Sequence, residues 1–306
     1  MRILVLGAGA LGGYFGAKLL QGGATVDFLV RPARAAQLAS TGLVVRSHEG
    51  EFRAPVTTIQ AGAIFAPYDV VLLCCKAYDL DTAMDAIAPA IGPGTAILPL
   101  LNGVRHLDTL SARFGATHVL GGLTAVNAAL GPQGEVIQSA VKIDMTAFGE
   151  LDGTSSPRCQ AIAQAFAAAA LKTTLSDTVR AAMWSKFTAF CAVAAIMTLC
   201  RARAGAIATA PAAPALIAAA INECYAAVAA EGFPAPSTWR EVISGLFRQP
   251  GSTYGPSILL DMEQGRRTEA AHTIGDLVAR ANARALPVPV LTAALCNLQI
   301  YEATRH

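Results

Sequence analysis

Glycines at 7, 9 and 12 stand in the stretch Gly7-Ala8-Gly9-Ala10-Leu11-Gly12. It follows the apolar run Ile3-Leu4-Val5-Leu6 and precedes a segment, Tyr14 to Leu20, whose apolar residues recur at helical spacing. Strand, Gly-x-Gly-x-x-Gly and helix in that order suit a dinucleotide pyrophosphate. The first glycine permits a tight turn, the second lets the backbone approach the phosphates without a β-carbon in the way, and the third lets helix and strand pack closely. Backbone N–H groups at the helix start, at Ala10 and Leu11, then face the phosphates with a favourable dipole. A second group of residues could grip a substrate and move a proton. Lys186 sits in Met183-Trp184-Ser185-Lys186, within a segment almost free of charge from Ala181 to Cys200. Ser257 and Asp261 lie four residues apart on one helical face, and Glu269 opens the next helical segment. Taken alone, Lys186 also reads as a snorkelling residue at a helix edge, and Glu269 as a partner for a helix dipole.

The strands that follow the glycine loop deliver further candidates. Ala24 to Val30 reads as a second strand ending at Arg31, with Arg34 one helical turn on. A site preferring NAD holds the ribose hydroxyls with an acidic side chain about 20 residues beyond the glycines, and Asp27 comes too early in its strand for that. Two guanidiniums can clamp a 2′-phosphate, so NADP is the expected cofactor, although Arg34 also reads as a solvated helix residue. Tyr68 to Cys75 and Ala96 to Leu101 are continuous apolar runs of the kind buried on both faces of a parallel sheet. Lys76 and Asn102 stand at their carboxyl ends, where ligands bind in open parallel sheets.

The remaining elements frame these residues. Leu43 to Ile59 alternates around His48-Glu49-Gly50 as a strand pair beside the main sheet, and Asp79 to Ala90 is helical. His118 to Gly149 reads as an antiparallel addition to the sheet's edge. Ser155 to Ala170 is helical, and Leu171 to Leu175 is one last short strand. Beyond Ser176-Asp177 only helical periodicity is present, over about 178–200, 213–232, 237–248, 256–264, 269–286 and 290–304. The expected fold is therefore α/β, a Rossmann-type dinucleotide-binding domain over 1–174 followed by an all-helical domain over 175–306. A substrate cleft is expected between them.

Composition narrows the partners. The chain of 306 residues is 54% hydrophobic and 14% charged, with a net charge of +2, which excludes disorder and a basic nucleic-acid surface. The longest apolar run, Phe187 to Cys200, is shorter than the roughly 20 residues of a membrane span, so a buried core helix and no membrane are expected. The sequence enters its first strand at once, leaving no room for a signal peptide. Seven cysteines without disulfide or zinc spacing suit a cytoplasmic protein; Cys74-Cys75 reads as core filler, and no metal site is expected.

Taken together, Gly7-x-Gly9-x-x-Gly12, Arg31, Cys75-Lys76-Ala77, Leu101-Asn102-Gly103, Trp184-x-Lys186 and Ser257 twelve residues before Glu269 resemble the ketopantoate reductases along their whole length. The resemblance implies reduction of a 2-keto acid, 2-dehydropantoate to pantoate or a less polar relative, by NADPH. Lys186 would donate the proton, Asn102 would position lysine and substrate, and Glu269 would anchor the lysine or a substrate hydroxyl. Ser257 would bind substrate and Lys76 would lie near the nicotinamide and ribose; Asp261 is a substrate candidate by its spacing from Ser257 alone. A homodimer is implied as well, and the Ala-rich segment Pro211 to Ala230 could pack on a second subunit as easily as on its own domain. The family carries asparagines four and eight residues after the lysine; here they are Phe190 and Ala194. A polar pocket wall has become apolar, a change that bears on the substrate's side chain and not on the reaction type.

Overall fold

The computed structural model describes residues 1–48, 50–139 and 145–305. Glu49, in the expected strand turn, and residues 140–144 of the expected edge addition lie outside the described residues. The chain divides into two compact units, one of residues 1–101 and 106–180, the other of residues 102–105 and 181–306.

In the first unit β1 (Arg2–Leu6), α1 (Ala10–Gln21), β2 (Thr25–Leu29) and α2 (Pro32–Thr41) form the opening strand–helix–strand–helix. They are followed by β3 (Leu43–Ser47), β4 (Gly50–Ala54), β5 (Thr57–Ile59), β6 (Val70–Leu73), α3 (Leu80–Ile87), β7 (Ala96–Pro99) and α4 (Arg105–Phe114). β8 (Leu120–Thr124), β9 (Ala128–Leu130), β10 (Val136–Gln138), β11 (Thr146–Glu150), α5 (Pro157–Ala168) and β12 (Thr173–Leu175) complete the α/β part of the chain. The main sheet has the order β5-β2-β1-β6-β7 and is parallel throughout. β1, β6 and β7 are apolar at nearly every position because helices cover both faces of a parallel sheet. Phe15 of α1, Phe28 of β2 and Phe148 of β11 are wholly buried, and Phe166 of α5 meets Phe148 edge to face.

Two expectations need correction. Only part of the segment 118–149 adds to the sheet's edge, where Val119, just before β8, bridges in parallel to Ile97 of the edge strand β7. β8 and β11 pair antiparallel in a three-stranded sheet with β12, whereas β9 and β10 join β3 and β4 in a second small sheet. Short alternating segments show that strands exist but not which partner each finds. Cys74 and Cys75 lie just beyond β6 rather than within it, and all seven cysteines are free.

The second unit is helical, with α6 (Val179–Cys200) entering it, then α7 (Ala204–Ile207), α8 (Ala213–Ala230), α9 (Thr238–Leu246), α10 (Ser257–Glu263), α11 (Ile274–Ala283) and α12 (Pro289–Thr304). The 22-residue α6 is longer than its apolar run and long enough to cross a bilayer, but 78% of its most apolar window is buried, as in a core helix. α8, α11 and α12 pack on one another. The Glu223 carboxylate of α8 accepts from the Val290 and Leu291 N–H groups, satisfying the first turn of α12 and complementing its dipole.

Candidate active site

The second unit brings together three residues distant in sequence. The Lys186 Nζ donates to Asn102 Oδ1 at 3.1 Å, and the Asn102 Nδ2 donates to Glu269 Oε2 at 3.5 Å. One amide thus ties an ammonium to a carboxylate. Lys186 keeps some accessible surface, but the protein packed around its ammonium lowers its pKa to about 8. The nearby Glu269 opposes that shift. At pH 7 the charged form still outnumbers the neutral amine about tenfold. The cation is therefore retained but poised near neutrality, as suits a proton donor.

Each member is held by its own element. Lys186 projects from α6, and Trp184, two residues earlier, stacks on Phe233 at 5.3 Å and has the Arg280 guanidinium 5.2 Å from its ring centroid. Arg280 is itself paired with Asp276 and Glu231 at 2.9 and 2.8 Å. Asn102 sits on a turn that glycine alone permits. Gly103 has φ +86°, and a β-carbon there would lie 2.9 Å from the His272 carbonyl oxygen. Glu269 precedes a 3₁₀ turn over Ala270–His272 but does not cap it; its buried carboxylate faces Asn102 instead. The neighbouring Thr268 donates its backbone N–H and its hydroxyl to Glu302 of α12, fixing the start of that segment.

His272, which the sequence did not single out, lies beside the same turn, its ring carbon 3.3 Å from the position of a Gly103 β-carbon. Burial holds its imidazole below the usual range against the pull of Glu269 and Asp276, while Arg105 adds to the lowering. No local spacing signals this residue, because its neighbours come from another part of the chain.

The substrate candidates are dispersed. Ser257 is exposed at the first position of α10, whereas Asp261, one turn later, is buried. The two side chains do not share one solvent-facing surface as the spacing suggested, since the inner face of this short helix is buried at Ile258, Leu259 and Asp261. Phe190 is half-buried one turn beyond Lys186, and Ala194 is wholly buried.

In the first unit Gly7, with φ +88°, turns the chain out of β1, and its N–H donates to the Leu29 carbonyl at the end of β2. A β-carbon at Gly12 would fall 1.8 Å from the Gly7 carbonyl oxygen, but one at Gly9 would meet no protein atom within 4 Å. Gly9 offers no side-chain cap to α1, so the first N–H groups of the helix, including those of Ala10 and Leu11, have no intrahelical acceptor. Open space at Gly9 before unsatisfied helix donors fits a dinucleotide pyrophosphate. β2 and β6 flank β1 and carry Arg31 and Lys76 beyond their carboxyl ends. Asp27 accepts from the Tyr68 hydroxyl at 2.7 Å and so has a structural task.

Arg34 departs from the expected phosphate clamp. Its guanidinium donates to the carbonyls of Ala8 and Gly134 at 3.0 and 2.8 Å and to Gln37 at 2.7 Å. It braces the glycine loop against the turn between β9 and β10, and burial lowers its pKa. Only Arg31 of the pair remains on the surface.

Two family models cover most of the chain. The one described as ketopantoate reductase PanE/ApbA matches residues 3–153, and the one described as ketopantoate reductase PanE/ApbA C terminal matches residues 178–302. An uncharacterized oxidoreductase of Bacillus subtilis, YkpB, is 35% identical over 305 residues, covering 100% of both chains. A 2-dehydropantoate 2-reductase of Halobacterium salinarum is 27% identical, covering 95% of each. Among solved structures, a 2-dehydropantoate 2-reductase of Geobacter metallireducens superposes with a TM-score of 0.88 at 27% identity, over 99% of this chain and 100% of that one. A D-mandelate dehydrogenase with NADH and anilino(oxo)acetate shares the fold, with a TM-score of 0.88 at 21% identity over 99% of both chains.

Proposed function

The chain belongs to the ketopantoate reductase family of oxidoreductases, and on that premise we propose that it reduces a 2-keto acid to the 2-hydroxy acid with NADPH. The substrate is 2-dehydropantoate or a relative with a less polar side chain. The observation that carries this reading is the Lys186–Asn102–Glu269 chain, a poised ammonium held by an amide and a carboxylate. A bound nicotinamide dinucleotide supplies a hydride to the carbonyl carbon.

The residues of this chain do the rest. Lys186 donates a hydrogen bond to the carbonyl oxygen and stabilises the negative charge that develops there. Its Nζ then gives up a proton to that oxygen and becomes the neutral amine, which solvent reprotonates. Asn102 fixes the direction of the Nζ, and Glu269 favours the charged form by Coulomb attraction. Gly7, Gly9 and Gly12, with the helix start at Ala10 and Leu11, would hold the pyrophosphate, and the exposed Arg31 would bind a 2′-phosphate. Phe190 supports the less polar substrate, because an apolar ring one turn from Lys186 offers no partner to a substrate hydroxyl.

The proton-donor role makes a pH prediction. Lys186 must be protonated to act, so keto-acid reduction is constant below its pKa and falls as pH rises through about 8. Glu269→Gln removes the attraction that opposes desolvation, so the fall moves to lower pH. Steady-state rates across pH for both proteins check this; a profile that does not move in the variant contradicts it.

A further inference from the structure

At the carboxyl edge of the parallel sheet, a positive charge already has a negative one resting on it. Arg31 follows β2 as the residue preceding α2, and its side chain is 77% exposed. Its Nη2 lies 3.1 Å from Oδ1 of Asp79, whose side chain is 32% exposed. Asp79 ends the 3₁₀ turn that follows Lys76, and its backbone is fixed there. Its N–H donates to the Lys76 carbonyl, and its own carbonyl accepts from the Thr82 hydroxyl. Since β2 and β6 are the two neighbours of β1, this ion pair joins the flanks of the strand that carries the glycine loop.

We propose that Asp79 is a specificity-determining residue that limits the chain's preference for the phosphorylated dinucleotide; the proposal rests on the dinucleotide reading above. In folds of this type the end of the second strand addresses the adenosine ribose, through an acidic side chain to a 2′-hydroxyl or an arginine to a 2′-phosphate. Here both chemistries meet in one pair. A 2′-phosphate must share Arg31 with the Asp79 carboxylate and is repelled by it, whereas a 2′-hydroxyl can donate to that carboxylate. Arg31 released from Asp79 can present two parallel N–H groups to phosphate oxygens. The pair therefore makes the chain tolerant of both cofactors, and Asp79 holds the balance between them.

The test is a titration of the full-length protein with NADPH and with NADH, followed by nicotinamide fluorescence, for wild type, Asp79→Asn and Arg31→Ala. Asp79→Asn is expected to tighten NADPH about fivefold, the scale of an exposed ion pair, and to leave NADH unchanged or weaker. Arg31→Ala is expected to weaken NADPH about tenfold and to spare NADH. An unchanged NADPH-to-NADH ratio in Asp79→Asn, with Arg31→Ala still weakening NADPH, overturns the role of Asp79 and leaves the dinucleotide reading intact. Failure of wild type to bind either dinucleotide overturns both. Arg31 is exposed, and Asp79→Asn keeps the size and shape of the half-buried Asp79, so neither substitution disturbs the core.

Discussion

Lys186→Ala lowers kcat for keto-acid reduction by about 10³-fold, within the range of general-acid catalysis. The loss combines the missing proton with the missing positive charge beside the developing alkoxide. NADPH affinity is expected to be unchanged, because Lys186 is not among the residues proposed to hold the dinucleotide, the glycine loop and Arg31. Lys186→Met preserves the aliphatic stem and separates packing from charge: it is as inactive as the alanine variant but melts closer to wild type. The pH dependence centred near 8 disappears in both, since the group that titrates there is gone. Small primary amines added to the alanine variant restore part of the rate. Unchanged turnover in either variant would remove the lysine from the mechanism.

Two glycine substitutions are expected to abolish cofactor binding for different reasons. Gly9→Ala introduces a β-carbon that meets nothing in the protein within 4 Å, and the residue has φ −77°, which alanine adopts freely. The protein therefore folds with wild-type stability, while the methyl group occupies the space where the pyrophosphate must approach. NADPH affinity falls at least about 100-fold, the equivalent of roughly 3 kcal/mol. Gly12→Ala forces a β-carbon to 1.8 Å from the Gly7 carbonyl oxygen and 3.1 Å from a Val5 methyl carbon. Either the loop or α1 must move, so this variant loses about 1–3 kcal/mol of stability as well as binding. Denaturant unfolding and NADPH titration of the two variants distinguish these effects. Tight NADPH binding by Gly9→Ala would place the cofactor elsewhere.

The residues legible in the sequence owe that to local spacing. Gly7, Gly9 and Gly12 lie between one strand and one helix, and the positions of Arg31, Lys76 and Asn102 follow from where apolar runs end. Lys186 stood out as a charge in an apolar helix. What the sequence withheld depends on which distant segments meet. Arg34 has the spacing of a phosphate ligand, but its guanidinium reaches Gly134, which only the position of the turn between β9 and β10 explains. Asp79 faces Arg31 because β6 lies on the far side of β1 from β2, a fact of strand order. His272 meets the Asn102-Gly103 turn for the same kind of reason. Asp261 shared a helical face with Ser257 by count, yet the short α10 buries one and exposes the other. α4 leaves little helical signal in the sequence because its few buried residues, His106, Leu107 and Leu110, are flanked by charged and polar ones.

The most direct test of the central claim is NADPH oxidation by the wild-type protein with a panel of 2-keto acids. The panel includes 2-dehydropantoate and analogues with apolar side chains, and the organic product is identified in each reaction. The expected result is stoichiometric formation of the 2-hydroxy acid, with apolar side chains preferred because Phe190 stands one turn from Lys186. Tight NADPH binding with no hydroxy acid formed from any member of the panel would contradict it, and would make the chain a dinucleotide-binding sensor rather than a reductase.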